Sequence, residues 1–172
     1  MQPAPHTGST PPLKRHAALV PLSRDHYVGL VQAQHLIRSA DADEVQRRKV
    51  IREFLDAWDS DISVHFKDEE RLLAALMDEP DRERMFQEHK TLRRIATEAR
   101  ERHRQVDPGA DWVRKAGELL RDHIRWEERV AFGHIEQTVD PMMLAMLEEQ
   151  TAMVEQSRSR GRGRRRPSPT DD

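Results

Sequence analysis

His65-Phe-Lys-Asp-Glu69 and His123-Ile-Arg-Trp-Glu127 each set an imidazole and a carboxylate four residues apart. On a helix such side chains lie one above the other on one face, so each phrase offers a nitrogen and an oxygen ligand to a common point. One HxxxE pair is a weak signal in a chain rich in His and Glu. Its duplication strengthens the signal, and so does its setting. Ile51, Leu55, Trp58, Ile62, His65, Glu69, Leu72 and Leu76 follow one another at steps of three and four, as do Val113, Ala116, Leu120, His123, Glu127 and Val130, so both pairs interrupt an apolar stripe. Two further stripes carry a lone histidine each: His26 with Leu30, Ala33 and Ile37, and His89 with Met85, Leu92, Ala96 and Ala99.

A bundle interior penalises an unpaired carboxylate by several kcal/mol, so Glu69 and Glu127 need a cation. Four imidazoles and two carboxylates give two metal ions two nitrogens each, with the carboxylates bridging and room for an oxo or hydroxo bridge and an exchangeable ligand. The chain has no cysteine, which removes disulfides, thiolate zinc sites and cysteine-held clusters. A thiolate-free set of His and carboxylate with open positions suits two iron ions handling oxygen species, manganese and zinc being left open by ligand type.

The elements that must position these residues are helices. With 35% charged and 5% aromatic residues, the composition is that of solvated helical faces. Four main helices are expected: from Ser23 as N-cap to about Ser39, from about Asp43 to Met77 where Pro80 ends it, from about Asp81 to Arg104, and from about Asp111 to Thr138 after the turn Asp107-Pro108-Gly109. Asp140-Pro141 opens a short closing helix to about Gln156. The fold class is all-α, an antiparallel up-down four-helix bundle. Its two halves repeat each other, a helix with a lone histidine followed by a helix with HxxxE. One domain, residues 14–156, lies between residues 1–13, rich in Pro, Gly, Ser and Thr, and Arg-rich residues 157–172, both expected to be disordered. No signal peptide or membrane span is read, and the cytoplasm is the expected location.

The order H…HxxxE…H…HxxxE on four helices resembles the hemerythrin-like family, or HHE cation-binding domain, over about Lys14 to Gln156. Leu22-Ser-Arg-Asp-His26, Glu88-His89 and the two HxxxEE phrases look like its small single-domain bacterial members. The resemblance implies the ligands His26, His65, Glu69, His89, His123 and Glu127, a non-haem di-iron centre, and O2, NO or peroxide as the small-molecule partner. Oxygen-carrying hemerythrins have a further histidine one turn before the position of His89, and here that residue is Met85. The departure favours the symmetric members linked to nitric oxide, peroxide or iron-redox chemistry, with peroxidase, catalase-like or NO-consuming turnover as the candidate reactions. The alternative is an iron- or redox-responsive sensor without turnover, tethered to a partner or nucleic acid through residues 157–172.

Other residues have quieter readings. Tyr27, where many relatives of this class have another histidine, is weighed as a phenolate ligand against packing on a helix seam. Glu70 and Glu128, one residue past the ligands, read as a solvated face pairing with Arg71 and Arg129 rather than as acceptors from a ligand imidazole. His16, His35, His103 and His134 fall off the repeat, Met85 reads as core filler, and Trp58 and Trp126 as packing.

Overall fold

The computed structural model describes residues 14–163, with side chains to Arg158. Seven α-helices follow in order: α1 (Val20–Ser39), α2 (Glu44–Ala57), α3 (Ser63–Leu73), α4 (Glu79–Arg102), α5 (Ala110–Trp126), α6 (Phe132–Thr138) and α7 (Pro141–Gly163). A 3-10 turn, Ala17–Leu19, leads into α1, and no strand occurs among the described residues. The all-α expectation holds, and the molecule is a helical bundle. The HxxxE helices appear as two rods, each interrupted by a π segment: Trp58–Ile62 joins α2 to α3, and Glu127–Ala131 joins α5 to α6.

Local chemistry explains most boundaries. Asp43 accepts a hydrogen bond from the Gln46 N–H at 2.8 Å and Asp78 one from the Asp81 N–H at 2.9 Å, each satisfying a helix-start donor that has no carbonyl partner. Pro80 sits in the first turn of α4, where its missing N–H costs nothing. Gly109 takes φ +83°, the left-handed region that favours glycine, and its N–H is held by the Asp107 carboxylate at 2.8 Å. Asp140 accepts from the Met142 N–H at 2.8 Å, the cap expected before α7.

The first and last helices differ from the sequence reading. Ser23 is not an N-cap: α1 starts at Val20 with Pro21 in its first turn, and the upstream turn is capped by His16, whose Nδ1 accepts from the Ala18 N–H at 3.1 Å. The closing helix is not short, since α7 runs on to Gly163. Residues 157–163, expected to be disordered, are therefore helical, and Arg158 is paired with Asp25 and Asp68. The remainder of that tail, and the disorder expected for residues 1–13, lie outside the described residues.

The core divides into two clusters. Ala33, Leu36, Val50, Phe54, Leu92 and Leu120 belong to one, and Leu19, Leu22, Leu73, Met85, Phe132 and Ile135 to the other. Along every rod the candidate ligands fall where one cluster gives way to the other: His26 between Leu22 and Ala33, Glu69 between Phe66 and Leu72, His89 between Met85 and Leu92, and Glu127 between Ile124 and Ala131. Apolar packing at both ends thus holds a polar layer in the middle.

Candidate metal centre

All six expected ligands are buried in that layer, with Glu69, His89 and Glu127 at 0% exposure. Each histidine directs Nε2 inward to a pair of central carboxylates. His26 Nε2 lies 3.2 Å from Glu69 Oε1 and 3.1 Å from Glu127 Oε2, His65 Nε2 lies 3.0 Å from Glu69 Oε1, and His123 Nε2 lies 3.2 Å from Glu127 Oε2. His89 Nε2 is 3.5 Å from Glu69 Oε2 and 3.7 Å from Glu127 Oε1. The six form two groups that could each hold a metal ion, His26 with His65 and His89 with His123, and both groups contain Glu69 and Glu127.

Hydrogen bonding does not account for this convergence. The Nε2 atoms of His65, His89 and His123, Oε2 of Glu69 and both oxygens of Glu127 are buried without a hydrogen bond of sound geometry. Buried groups left so cost on the order of 1–3 kcal/mol each, more when charged. A nitrogen and oxygen donor set whose lone pairs face one another across a dry layer fits a pair of cations.

The electrostatics agree. Burial opposes charge on His26, but Glu127, Glu128 and Glu69 hold its pKa well above the ordinary imidazole value. Burial likewise opposes charge on His89, and Glu127 and Glu69 raise it to about 10. Glu69 is pushed up by burial yet held well below the usual carboxylate range by His65, His26 and His89. Glu127, pushed up by burial and by Glu69, is brought down to about 2 by His123, His26 and His89. Cationic partners are what these carboxylates require, and metal ions compete with protons for the same nitrogens.

Outward, every ligand histidine meets a second carboxylate at Nδ1: His26 with Glu128 at 2.6 Å, His89 with Glu70 at 2.9 Å, His123 with Glu88 at 2.8 Å, and His65 with Asp25 at 3.5 Å. The hydrogen bonds on His26, His89 and His123 fix the imidazole tautomer that leaves Nε2 free for a cation and raise its basicity, whereas His65 Nδ1 makes no hydrogen bond of sound geometry and Asp25 is there as a nearby charge. The reading of Glu70 and Glu128 as a solvated face is corrected here. Each outer carboxylate is the sequence neighbour of one ligand, as in Asp25-His26, Glu69-Glu70, Glu88-His89 and Glu127-Glu128, and serves a histidine on a different helix. One residue turns about 100° around a helix, which carries the side chain off its own stripe and into the seam with the next rod. A carboxylate beside one ligand on each rod, at His26, Glu69, His89 and Glu127, was the signal that could have revealed them.

Tyr27 is 72% exposed, its ring turned to solvent rather than into the layer, so neither phenolate ligation nor seam packing holds. Met85 is fully buried core, as expected. Aromatic rings wall the layer: Phe66 stacks on His89 with centroids 3.9 Å apart and planes within 4°, and Phe132 stacks on His26 at 5.5 Å. The off-repeat histidines stay outside. His134 pairs with Asp81 at 2.6 Å, and His103 donates to or accepts from nothing in the layer, its Nδ1 bonding the Arg100 carbonyl at 2.8 Å. A shallower grouping of Asp78, Asp81 and His134 surrounds the start of α4, where Asp78 already serves as the cap.

Residues 22–135 match the model of the hemerythrin HHE cation binding domain, and this stretch contains all six inward-facing residues. No curated protein and no solved structure gives a significant match.

Proposed function

The chain belongs to the hemerythrin HHE cation-binding family, and from that premise we propose a non-haem di-iron protein that binds or reacts with O2, NO or peroxide inside an antiparallel four-helix bundle, in the cytoplasm. His26 and His65 would hold one ion and His89 and His123 the other, with Glu69 and Glu127 offering oxygen donors to both. The observation that carries this reading is the convergence of the four Nε2 atoms on two buried carboxylates, three of whose four oxygens lack a hydrogen bond. Iron bound there supplies redox change and an exchangeable coordination position. The chain's own contribution is to orient. Glu128, Glu70 and Glu88 set the tautomers of His26, His89 and His123, while Phe66, Phe132 and the apolar clusters enclose the layer. Buried Met85, at the place where oxygen carriers have a further histidine, leaves the two halves with matching donor sets and supports reaction or sensing over simple oxygen carriage.

Metal analysis of freshly purified protein, with its visible spectrum before and after azide, tests the reading. Two irons per chain with azide-sensitive charge-transfer bands are expected, and His65→Ala should lose both the bands and at least one iron. One zinc, or no metal after reconstitution with ferrous iron, would overturn it.

A further inference from the structure

The carboxylates outside the ligand histidines are themselves each gripped by an arginine. Glu70 takes Arg93 at 2.8 Å, Glu88 takes Arg84 at 2.8 Å, Glu128 takes Arg15 at 2.8 Å, and Asp25 takes Arg158. Four relays of imidazole, carboxylate and guanidinium therefore run from the centre outward, and they are not equivalent. Arg84 and Arg93 both belong to α4, inside the bundle, and their side chains are 50% and 39% exposed. Arg15 and Arg158 come from the segment before α1 and from α7, outside the family match at 22–135, and are only 7% and 23% exposed. Both serve the same half of the centre, since Glu128 backs His26 and Asp25 backs His65.

We propose that Arg15 and Arg158 are positioning residues through which the two terminal segments of the chain fasten one metal site, that of His26 and His65, while the site of His89 and His123 is fastened from within the bundle. The proposal rests on the di-iron reading above. Its physical basis is orientation. A carboxylate steers an imidazole only if its own rotamer is fixed, and a partly buried guanidinium with two acceptors fixes it better than the more exposed Arg84 and Arg93, each with a single acidic partner here, Glu88 on the same helix and Glu70 on α3. Arg15 is anchored by Glu136 at 3.3 Å besides Glu128, and its guanidinium lies over the Phe132 ring, the ring stacked on His26. Arg158 spans Asp25 and Asp68, from α1 and α3, and so ties α7 to both helices that bear this site's histidines. α7 is seated by buried Leu144, Leu147 and Thr151. His65 Nδ1 lies 3.5 Å from Asp25, the longest of the four outer contacts and without a hydrogen bond of sound geometry, so Asp25 acts on His65 by its charge, whose place Arg158 sets.

Anaerobic titration of the chelator-stripped, full-length protein with ferrous iron, followed by calorimetry, tests this in Arg158→Gln and Arg15→Gln against Arg93→Gln. Wild type should take up two ions. In Arg158→Gln or Arg15→Gln one ion should bind about tenfold more weakly, the low end of what loss of an outer partner costs a metal site, and the other should be unchanged. Arg158→Lys should restore much of the loss. In a His123→Ala background Arg158→Gln should weaken the ion that remains, and in a His65→Ala background it should change nothing further. Equal weakening of both ions, no weakening in either variant, or the same effect in both backgrounds would overturn the proposal while leaving the di-iron reading intact. Fewer than two ions in wild type would bring down that reading, and this proposal with it. Should Arg158→Gln not fold, Arg15→Gln carries the same test from the other end of the chain.

Discussion

The central carboxylates favour the charged form of His89 and the ligand histidines, His123 first, favour that of Glu127, and that makes the stripped protein sensitive to pH on both sides. His89, raised from 6.5 to about 10, contributes stability that is complete below 6.5 and lost as pH rises through about 10. Glu127, lowered from 4.5 to about 2, contributes stability that is complete above 4.5 and lost as pH falls through about 2. Chelator-stripped protein should accordingly resist urea best between about pH 4.5 and 6.5 and weaken in both directions. A midpoint that does not vary from pH 3 to 9 would show that the layer's charges are not coupled as the geometry implies. Iron-loaded protein should behave differently on the acid side, where protons compete for the ligands and metal leaves before the helices unfold.

The helices α1 and α5 meet closely at two glycines, and the two contacts differ in kind. A methyl group on Gly117 would lie 2.6 Å from the Ala33 carbonyl oxygen and 3.0 Å from the Ile37 backbone nitrogen, so the helices themselves must part. On Gly29 it would meet the tip of the Ile124 side chain at 2.6 Å, which can rotate away. Gly117→Ala should destabilise the protein by about 1–3 kcal/mol, whereas Gly29→Ala should fall nearer neutral because alanine's better helix propensity offsets the adjustment. Thermal melts of the two variants decide it, and equal losses would contradict the packing described. The rods as a whole were legible in the sequence because apolar residues recur at steps of three and four, and that same periodicity put all six inward-facing residues on their faces. The π segments were not. An inserted residue at Trp58–Ile62 or Glu127–Ala131 leaves no composition of its own and is tolerated only because the neighbouring rods hold both flanks in place. The outer carboxylates escaped for a related reason: periodicity along one helix says which way a stripe faces, and Glu70 or Glu128 finds its partner on another.

At the scale of the whole molecule, the polar layer divides the apolar core in two, so a cation there secures both halves at once. Removing iron with a chelator should lower the melting temperature, and returning ferrous iron should restore it in proportion to occupancy. A melting temperature indifferent to metal would place the layer's stability in its ion pairs alone. The arginine-rich end was misjudged at Arg158 because a run of Arg, Gly and Ser reads by composition as solvated chain, and composition is blind to two acidic partners supplied by α1 and α3. Trp126 adds a last consequence. Its ring lies 6.2 Å from that of His123, beneath the Arg84 guanidinium at 4.4 Å, while Trp112 donates to Glu98 at 2.8 Å beside the start of α5, in the other core cluster. Iron arriving at His123 should therefore quench the fluorescence of Trp126 far more than that of Trp112. The protein thus carries an optical gauge of metal arriving at its own centre, readable without adding a label.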